Sequence, residues 1–194
     1  MTNTRLDNVL TAIDRENQQD PNLVEHQGKP IAKELLYGQR MSERLGVFAP
    51  DASELLQIAC RAQHIKRWSL ARKDFPMDKV GYKTWRTTLA KFHADTTATL
   101  MASAGYNQDE QARAGELLQK KQLKRDPEVQ TLEDVICLVF IEHHLEEFAT
   151  KHTETKLIDI IQKTWRKMSD DGHNAALALT LPETLLALIG KALA

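Results

Sequence analysis

Seven consecutive apolar residues, Val135 to Ile141, lie inside the string "TLEDVICLVFIEHHLEEF". A segment apolar on every side, with polar helical turns before and after it, is a central helix and not a surface one. The rest of the chain has to wrap it. The wrapping segments also carry the helical period. "TRLDNVLTAIDREN" places Leu6, Val9, Leu10 and Ile13 on one face, and "DPN" ends that helix. A second helix is expected from near Pro30 and carries "KELLYGQRMSERL". A third, "PDASELLQIACRAQHIKRW", opens with Asp51 and Glu54 at capping-box spacing. After a loop at "KDFPMD", a long helix from about Lys79 to Ala104 carries the stripe Trp85, Leu89, Phe92, Thr96 and Leu100, and Gly105 stops it. Asn107 and Glu110 repeat the capping spacing. Strand signals are absent: no alternating β-branched run occurs, and no Asn-Gly or Asp-Gly joins two apolar runs. The expected fold is all-α, a single compact domain over residues 1–194 with about eight or nine helices.

Bulk charge narrows the partners. The chain has 26 basic and 27 acidic residues, a formal net charge of -1. Charge-driven binding to nucleic acid normally needs a basic excess, so RNA is the weakest of the partner classes considered. Cys60 and Cys137 lie in apolar runs at no metal-binding spacing and read as small core residues of a reducing compartment. The N-terminus has no apolar leader and no run is long enough to span a bilayer, so a cytoplasmic location and no membrane partner are expected.

Several polar residues keep apolar company. On a helix Asp134 shares a face with Leu138, Ile141 and Leu145. A carboxylate aimed into a core needs a hydrogen bond, a counter-charge or a metal. Thr131 and Asp134 also stand at capping spacing, so two readings are open: a helix cap or a functional group. His64 ends a largely apolar helix, and His93 borders the Trp85–Leu89–Phe92 stripe. Together with Asp134 they form a candidate ligand set for a divalent cation such as zinc, manganese or iron. "HHLEEFATKH" spreads its His and Glu residues over several faces and reads as solvated surface. "LQKKQLKRDPE" either places cations at a helix C-terminus or offers phosphate contacts, Lys120 among them.

Every tryptophan has a basic residue within two positions, and "KTWR" occurs at both Lys83–Arg86 and Lys163–Arg166. Adjacent residues on a helix do not share a face, so Trp85 and Trp165 read as core anchors. In "HIKRW", by contrast, His64, Arg67 and Trp68 are spaced i, i+3, i+4. On a helix they converge as an anion or nucleobase site.

"YGQRMSERL" followed by "LLQIACRAQHIKRW" resembles the opening of the HD-domain phosphohydrolase superfamily. "KFHADTTATLMASAGYNQDEQARAGELLQKK" is similar to its middle helices. The resemblance implies an HD-like helical array in which His64, His93 and Asp134 are the remaining metal ligands. It also shows departures: Tyr37 stands at the first histidine position, and the His-Asp doublet is His64–Ile65. More closely, the whole chain resembles the family named domain of unknown function 4202, through "GQRM", "QHIKRW", "PMD", "GYKTWR", "FHAD", "TLEDVICLVF" and "KTWRKMS". That family implies no particular activity.

The expected function is hydrolysis of a small phosphorylated or nucleotide substrate. His64 and Asp134 are the catalytic candidates, and Tyr37, Arg67, Trp68, Arg86, Lys120 and Lys163 the ligand-binding ones. A regulator that binds a nucleotide without turning it over is the alternative, with RNA interaction behind it.

Overall fold

The structure is a computed structural model that describes residues 4–194. Ten α-helices and one two-stranded hairpin make up the regular structure of the described residues, apart from two short 3-10 turns. The all-helical expectation holds. The chain divides into two compact units, Met1–Gln122 and Leu123–Ala194.

In the first unit, α1 (Arg5–Asn17) starts at a complete capping box between Thr4 and Asp7 and buries Val9, Ile13 and Asn17. A hairpin follows that the residues between "DPN" and Pro30 were not expected to form. Strand β1 (Leu23–His26) pairs antiparallel with β2 (Lys29–Ala32). Its two-residue turn is Gln27-Gly28, with φ of 51° and 74°. Two positive φ values are what a type I′ hairpin turn requires, and here Gln takes the place that Asn or Asp usually fills. The hairpin delays the second helix, so α2 spans Lys33–Phe48.

Ala32 cannot cap α2 with its side chain. Asp20, in the loop after α1, does so instead: it accepts from the Glu34 backbone N–H at 3.1 Å and from Asn22 at 2.9 Å. This fixes where Glu34 emerges. Gly38, one turn further along α2, lets α3 approach closely. A Cβ there would lie 2.9 Å from the Arg61 carbonyl oxygen.

Helix α3 is Glu54–Arg61, capped by Ser53 and not by Asp51; Ser53 accepts from Leu56 N–H. It also ends seven residues before Trp68. The chain turns through Ala62–Lys66, and Lys66 takes a left-handed conformation, φ 50°, ahead of a 3-10 turn at Arg67–Ser69. Asn17 accepts from the Lys66 backbone N–H, and Glu16 pairs with its ammonium. These bonds hold a conformation that non-glycine residues seldom adopt.

Helix α4 (Lys79–Ser103) starts at Asp78 and stops at Gly105, φ 90°, as its sequence indicates. Its buried face is Trp85, Leu89, His93, Thr97 and Met101, at strict four-residue spacing. Phe92, Thr96 and Leu100 of the expected stripe are half-buried, and His93 belongs to the core row itself. Helix α5 (Gln108–Leu118) has the Asn107–Glu110 capping box and packs on α3 and α4.

The second unit contains α6 (Pro127–His143), α7 (Leu145–Ala149), α8 (Glu154–Trp165), α9 (Asp170–Leu177) and α10 (Glu183–Leu193). Helix α6 carries the apolar run, and Val135, Cys137, Leu138, Val139 and Ile141 are all buried. Within this unit α6 packs on α7 and α9, and α8 on α10. Asp126, followed by Pro127 at the first helical position, caps α6. Asp134 therefore sits two turns inside the helix, which removes the reading in which Thr131 and Asp134 cap its start.

Candidate functional site

Three segments of the first unit converge on a cleft of about 280 Å³: the turn Gln63–Arg67, the middle of α4, and the residues that end α5. The local folding explains each. The break after Arg61 lets His64 and Arg67 leave the helix line. The four-residue row of α4 brings up His93, with Arg86 and Leu89 beside it. At the end of α5, Lys120 turns the chain with φ 53° and places Lys120 and Lys121 at the rim.

His64 is the best-oriented of these groups. Its Nδ1 lies 3.0 Å from Glu34 Oε2, and its ring stacks on Tyr37 with centroids 3.8 Å apart and planes 12° from parallel. A carboxylate on Nδ1 fixes the tautomer and leaves the opposite nitrogen the one suited to proton transfer. Glu34 itself is 6% exposed. The His93 ring centroid is 6.2 Å from that of His64. Burial, and then the charges of His64, Arg67 and Arg86, hold the His93 imidazolium well below its ordinary range, so this ring is neutral.

Arg67 lies with its guanidinium carbon 4.9 Å from the centre of the Trp85 ring. Trp85 is anchored in turn by its indole N–H, which donates to the Leu70 carbonyl at 2.9 Å. Burial lowers the Arg67 pKa and Glu34 opposes that shift. Among the described residues neither Arg67 nor Arg86 has a carboxylate at ion-pair distance. Arg67, Arg86, Lys120 and Lys121 make the lining of the cleft rich in cationic side chains.

The expected site residues thus separate. His64, His93, Arg67, Arg86 and Lys120 line one cleft, and Tyr37 supports it from behind His64. Trp68 is half-buried and is not among the lining residues. The i, i+3, i+4 argument fails for it because the helix has already ended at Arg61. The aromatic that meets Arg67 is Trp85, expected to be only an anchor; it is both anchor and platform. In the second unit Lys163 pairs with Asp159 on the surface of α8. There, too, Trp165 stacks on His173 with centroids 4.3 Å apart.

Asp134 has its own partners in the second unit. Oδ1 accepts from the Ser169 backbone N–H at 2.8 Å and from Gln130 at 3.1 Å, while Oδ2 accepts from the Ser169 hydroxyl at 2.6 Å. Ser169 is the N-cap of α9. The buried carboxylate is therefore satisfied by holding a helix start. Among the described residues no group of three or more His, Cys, Asp or Glu side chains is arranged to hold a metal ion.

Two members of the site were not singled out from the sequence. Glu34 heads the row Glu34, Tyr37, Met41 and Leu45 of α2, a carboxylate in line with apolar residues. That is the same signal that drew attention to Asp134. Gln63 left no such trace, because it lies in a turn with no period.

The described residues form an all-helical fold apart from one two-stranded hairpin. The chain belongs to the family described as Domain of unknown function (DUF4202), which it matches over residues 7–189. No curated protein and no solved structure matches the chain. Among the described residues no helix is long and apolar enough to cross a membrane.

Proposed function

We propose that the cleft of the first unit binds a small phosphorylated molecule, a phosphomonoester or nucleotide, and hydrolyses it. The observation that carries this reading is the pairing of two guanidinium groups lacking carboxylate partners, Arg67 and Arg86, with the Glu34–His64 dyad at the same cleft. Arg67 and Arg86 neutralise the phosphoryl oxygens, and Lys120 and Lys121 close the rim. His64, oriented by Glu34, takes a proton from water as its oxygen attacks phosphorus, and the ester oxygen departs with the bonding pair. The resemblance of "YGQRMSERL" and "LLQIACRAQHIKRW" to HD-domain phosphohydrolases supports a phosphate-directed activity.

Binding without turnover is the second reading. It draws on Asp134, the carboxylate that the resemblance assigns to metal, being engaged by Ser169 and Gln130. Phosphate release from a panel of phosphomonoesters and nucleotides, with and without chelator, separates the two. Release that survives chelator and is lost in His64→Ala supports the hydrolase. Saturable binding that Arg67→Ala abolishes, with no release, supports the regulator. A protein that neither binds nor turns over any of them removes both.

A further inference from the structure

The positive charge of the first unit runs beyond the cleft. Residues 67–86 hold six basic and two acidic residues, a net of +4 against -5 for the rest of the chain. Three of the six lie on α4: Lys79, Lys83 and Arg86, at i, i+4 and i+7, with Ala90 at i+11. Residues at these intervals fall within one narrow stripe of a helix. Arg86 and Ala90 line the cleft, so Lys83 and Lys79 continue that stripe outwards along α4. All three basic residues are exposed. Their Cα atoms span about 10 Å along the helix axis.

This row works against its own helix. Like charges at three- and four-residue spacing repel. Cations in a first turn also oppose the helix dipole. Each of the other nine α-helices has an acidic residue in its first turn, and α4 has none. Asp78, the acid just ahead, is committed to the cap, where it accepts from the Gly81 N–H at 2.6 Å. Among the described residues none of Lys79, Lys83 and Arg86 has a carboxylate at ion-pair distance, whereas Lys91, the next cation of α4, pairs with Asp95. Charges that destabilise their helix and find no counter-charge in the chain are accounted for by a partner outside it.

We infer that the ligand of the cleft is a linear polyphosphate, inorganic or carried on a nucleoside. Its terminal phosphoryl group lies at Arg67 and Arg86, and the chain runs along Lys83 and Lys79. A single phosphoryl group at the two arginines leaves both lysines unused; a chain of phosphates meets the row in succession. Single-stranded nucleic acid also presents a row of phosphates, but its bases need aromatic faces to stack on. Beside the row the exposed aromatic is Tyr82, and its ring leans on Trp85 with centroids 5.9 Å apart. The phosphate chain itself is therefore the recognised feature. This rests on the phosphate reading of the cleft, and its test keeps the two apart.

The experiment is calorimetric titration of the full chain with inorganic phosphate, tripolyphosphate and adenosine 5′-triphosphate, in chelator at physiological ionic strength. Wild-type protein is expected to bind tripolyphosphate at least about tenfold more tightly than phosphate. The double variant Lys79→Ala/Lys83→Ala should weaken tripolyphosphate at least about fivefold, the scale of two exposed charge pairs, and phosphate less than about twofold. Lys29→Ala/Lys156→Ala removes the same charge from exposed positions off the row and should leave both affinities unchanged. Adenosine 5′-triphosphate bound more tightly than tripolyphosphate, with the same lysine dependence, supports the inference with a nucleoside-borne chain; the reverse order supports it with the inorganic one. Tripolyphosphate bound no more tightly than phosphate, or equal losses in the two double variants, overturns the inference and leaves the phosphate reading standing. A single-stranded oligonucleotide bound more tightly than either polyphosphate through the same lysines overturns it in favour of nucleic acid. Binding of none of these overturns the phosphate reading first, and the inference with it.

Discussion

Glu34 and His64 stand thirty residues apart in sequence and 3.0 Å apart in space, carboxylate oxygen to Nδ1, with Tyr37 stacked against the imidazole. The contact depends on a chain of local decisions: Asp20 caps α2, the cap sets where Glu34 emerges, and the break after Arg61 turns His64 towards it. If the dyad transfers protons, Glu34→Gln should lower kcat by about 100-fold or more and change KM little, because the amide can no longer hold the imidazolium that forms. Steady-state kinetics on whichever phosphate ester shows turnover would check this. A variant with normal kcat means that Glu34 is only a structural partner.

Asp134 is expected to matter for stability and not for phosphate binding. Asp134→Ala strips the Ser169 backbone N–H and hydroxyl of their acceptor, and the cost should be about 1–3 kcal/mol by urea unfolding. Gly172→Ala should be damaging for the same reason, since its Cβ would lie 2.6 Å from Asp134 Oδ1. Calorimetric binding of a phosphate ester should be unchanged in the folded fraction of Asp134→Ala. A large loss of affinity there would return Asp134 to the list of ligand residues.

Trp85 is asked to do two things, and Trp85→Phe separates them. Phenylalanine keeps a face under the Arg67 guanidinium but loses the bond to the Leu70 carbonyl, costing about 1 kcal/mol of stability. Trp85→Leu removes the platform as well and should weaken phosphate binding several-fold. Equal affinities in wild type and both variants would show that the stacking does not position Arg67.

His93 gives the fold a pH dependence of known sign. Its folded pKa is depressed below the model-compound value of 6.5, chiefly by burial. The unfolded chain therefore binds a proton more readily than the folded one. The contribution is fully present above about pH 6.5 and is lost as pH falls from there towards the folded pKa. Urea titrations should show stability falling as pH is lowered below 6.5, with a shallower fall in His93→Gln. A wild-type curve flat through this window would be inconsistent with a neutral buried ring.

Two glycines make a matched pair. A Cβ at Gly81 would clash with the Pro76 carbonyl oxygen and lie 2.7 Å from the Pro76 Cβ, so Gly81→Ala should cost more than about 2 kcal/mol. Gly190 lies in α10 with open space around its Cβ position, and Gly190→Ala should stabilise by about 0.5–1 kcal/mol. Thermal unfolding of the two variants reads both signs at once.

Helix positions were legible wherever burial follows a period. The buried α6 run, the α4 boundaries at Asp78 and Gly105, and the Asn107–Glu110 cap could all be read directly. The hairpin could not, because Gln27-Gly28 takes a turn whose usual signature is Asn-Gly, and its strands are only four residues long. The HIKRW segment lacks the helix face its spacing suggests for a related reason. Left-handed Lys66 is stabilised by Asn17 and Glu16, forty-nine and fifty residues away, and no local pattern announces such a partner.

By itself, then, the sequence determined that this chain is helical, which faces its helices bury, and that Arg67, Arg86, Lys120, His64 and His93 are polar groups in company that calls for an explanation. Helix formation and amphipathic burial depend on neighbours within one or two turns, which the sequence displays. The tertiary structure alone decided which of those groups meet. It gave His64 a carboxylate from α2, seated Arg67 on Trp85 instead of beside Trp68, and committed Asp134 to the cap of α9. Each of those outcomes is a contact between residues eighteen to thirty-five positions apart, fixed by caps and chain breaks whose partners lie elsewhere in the fold.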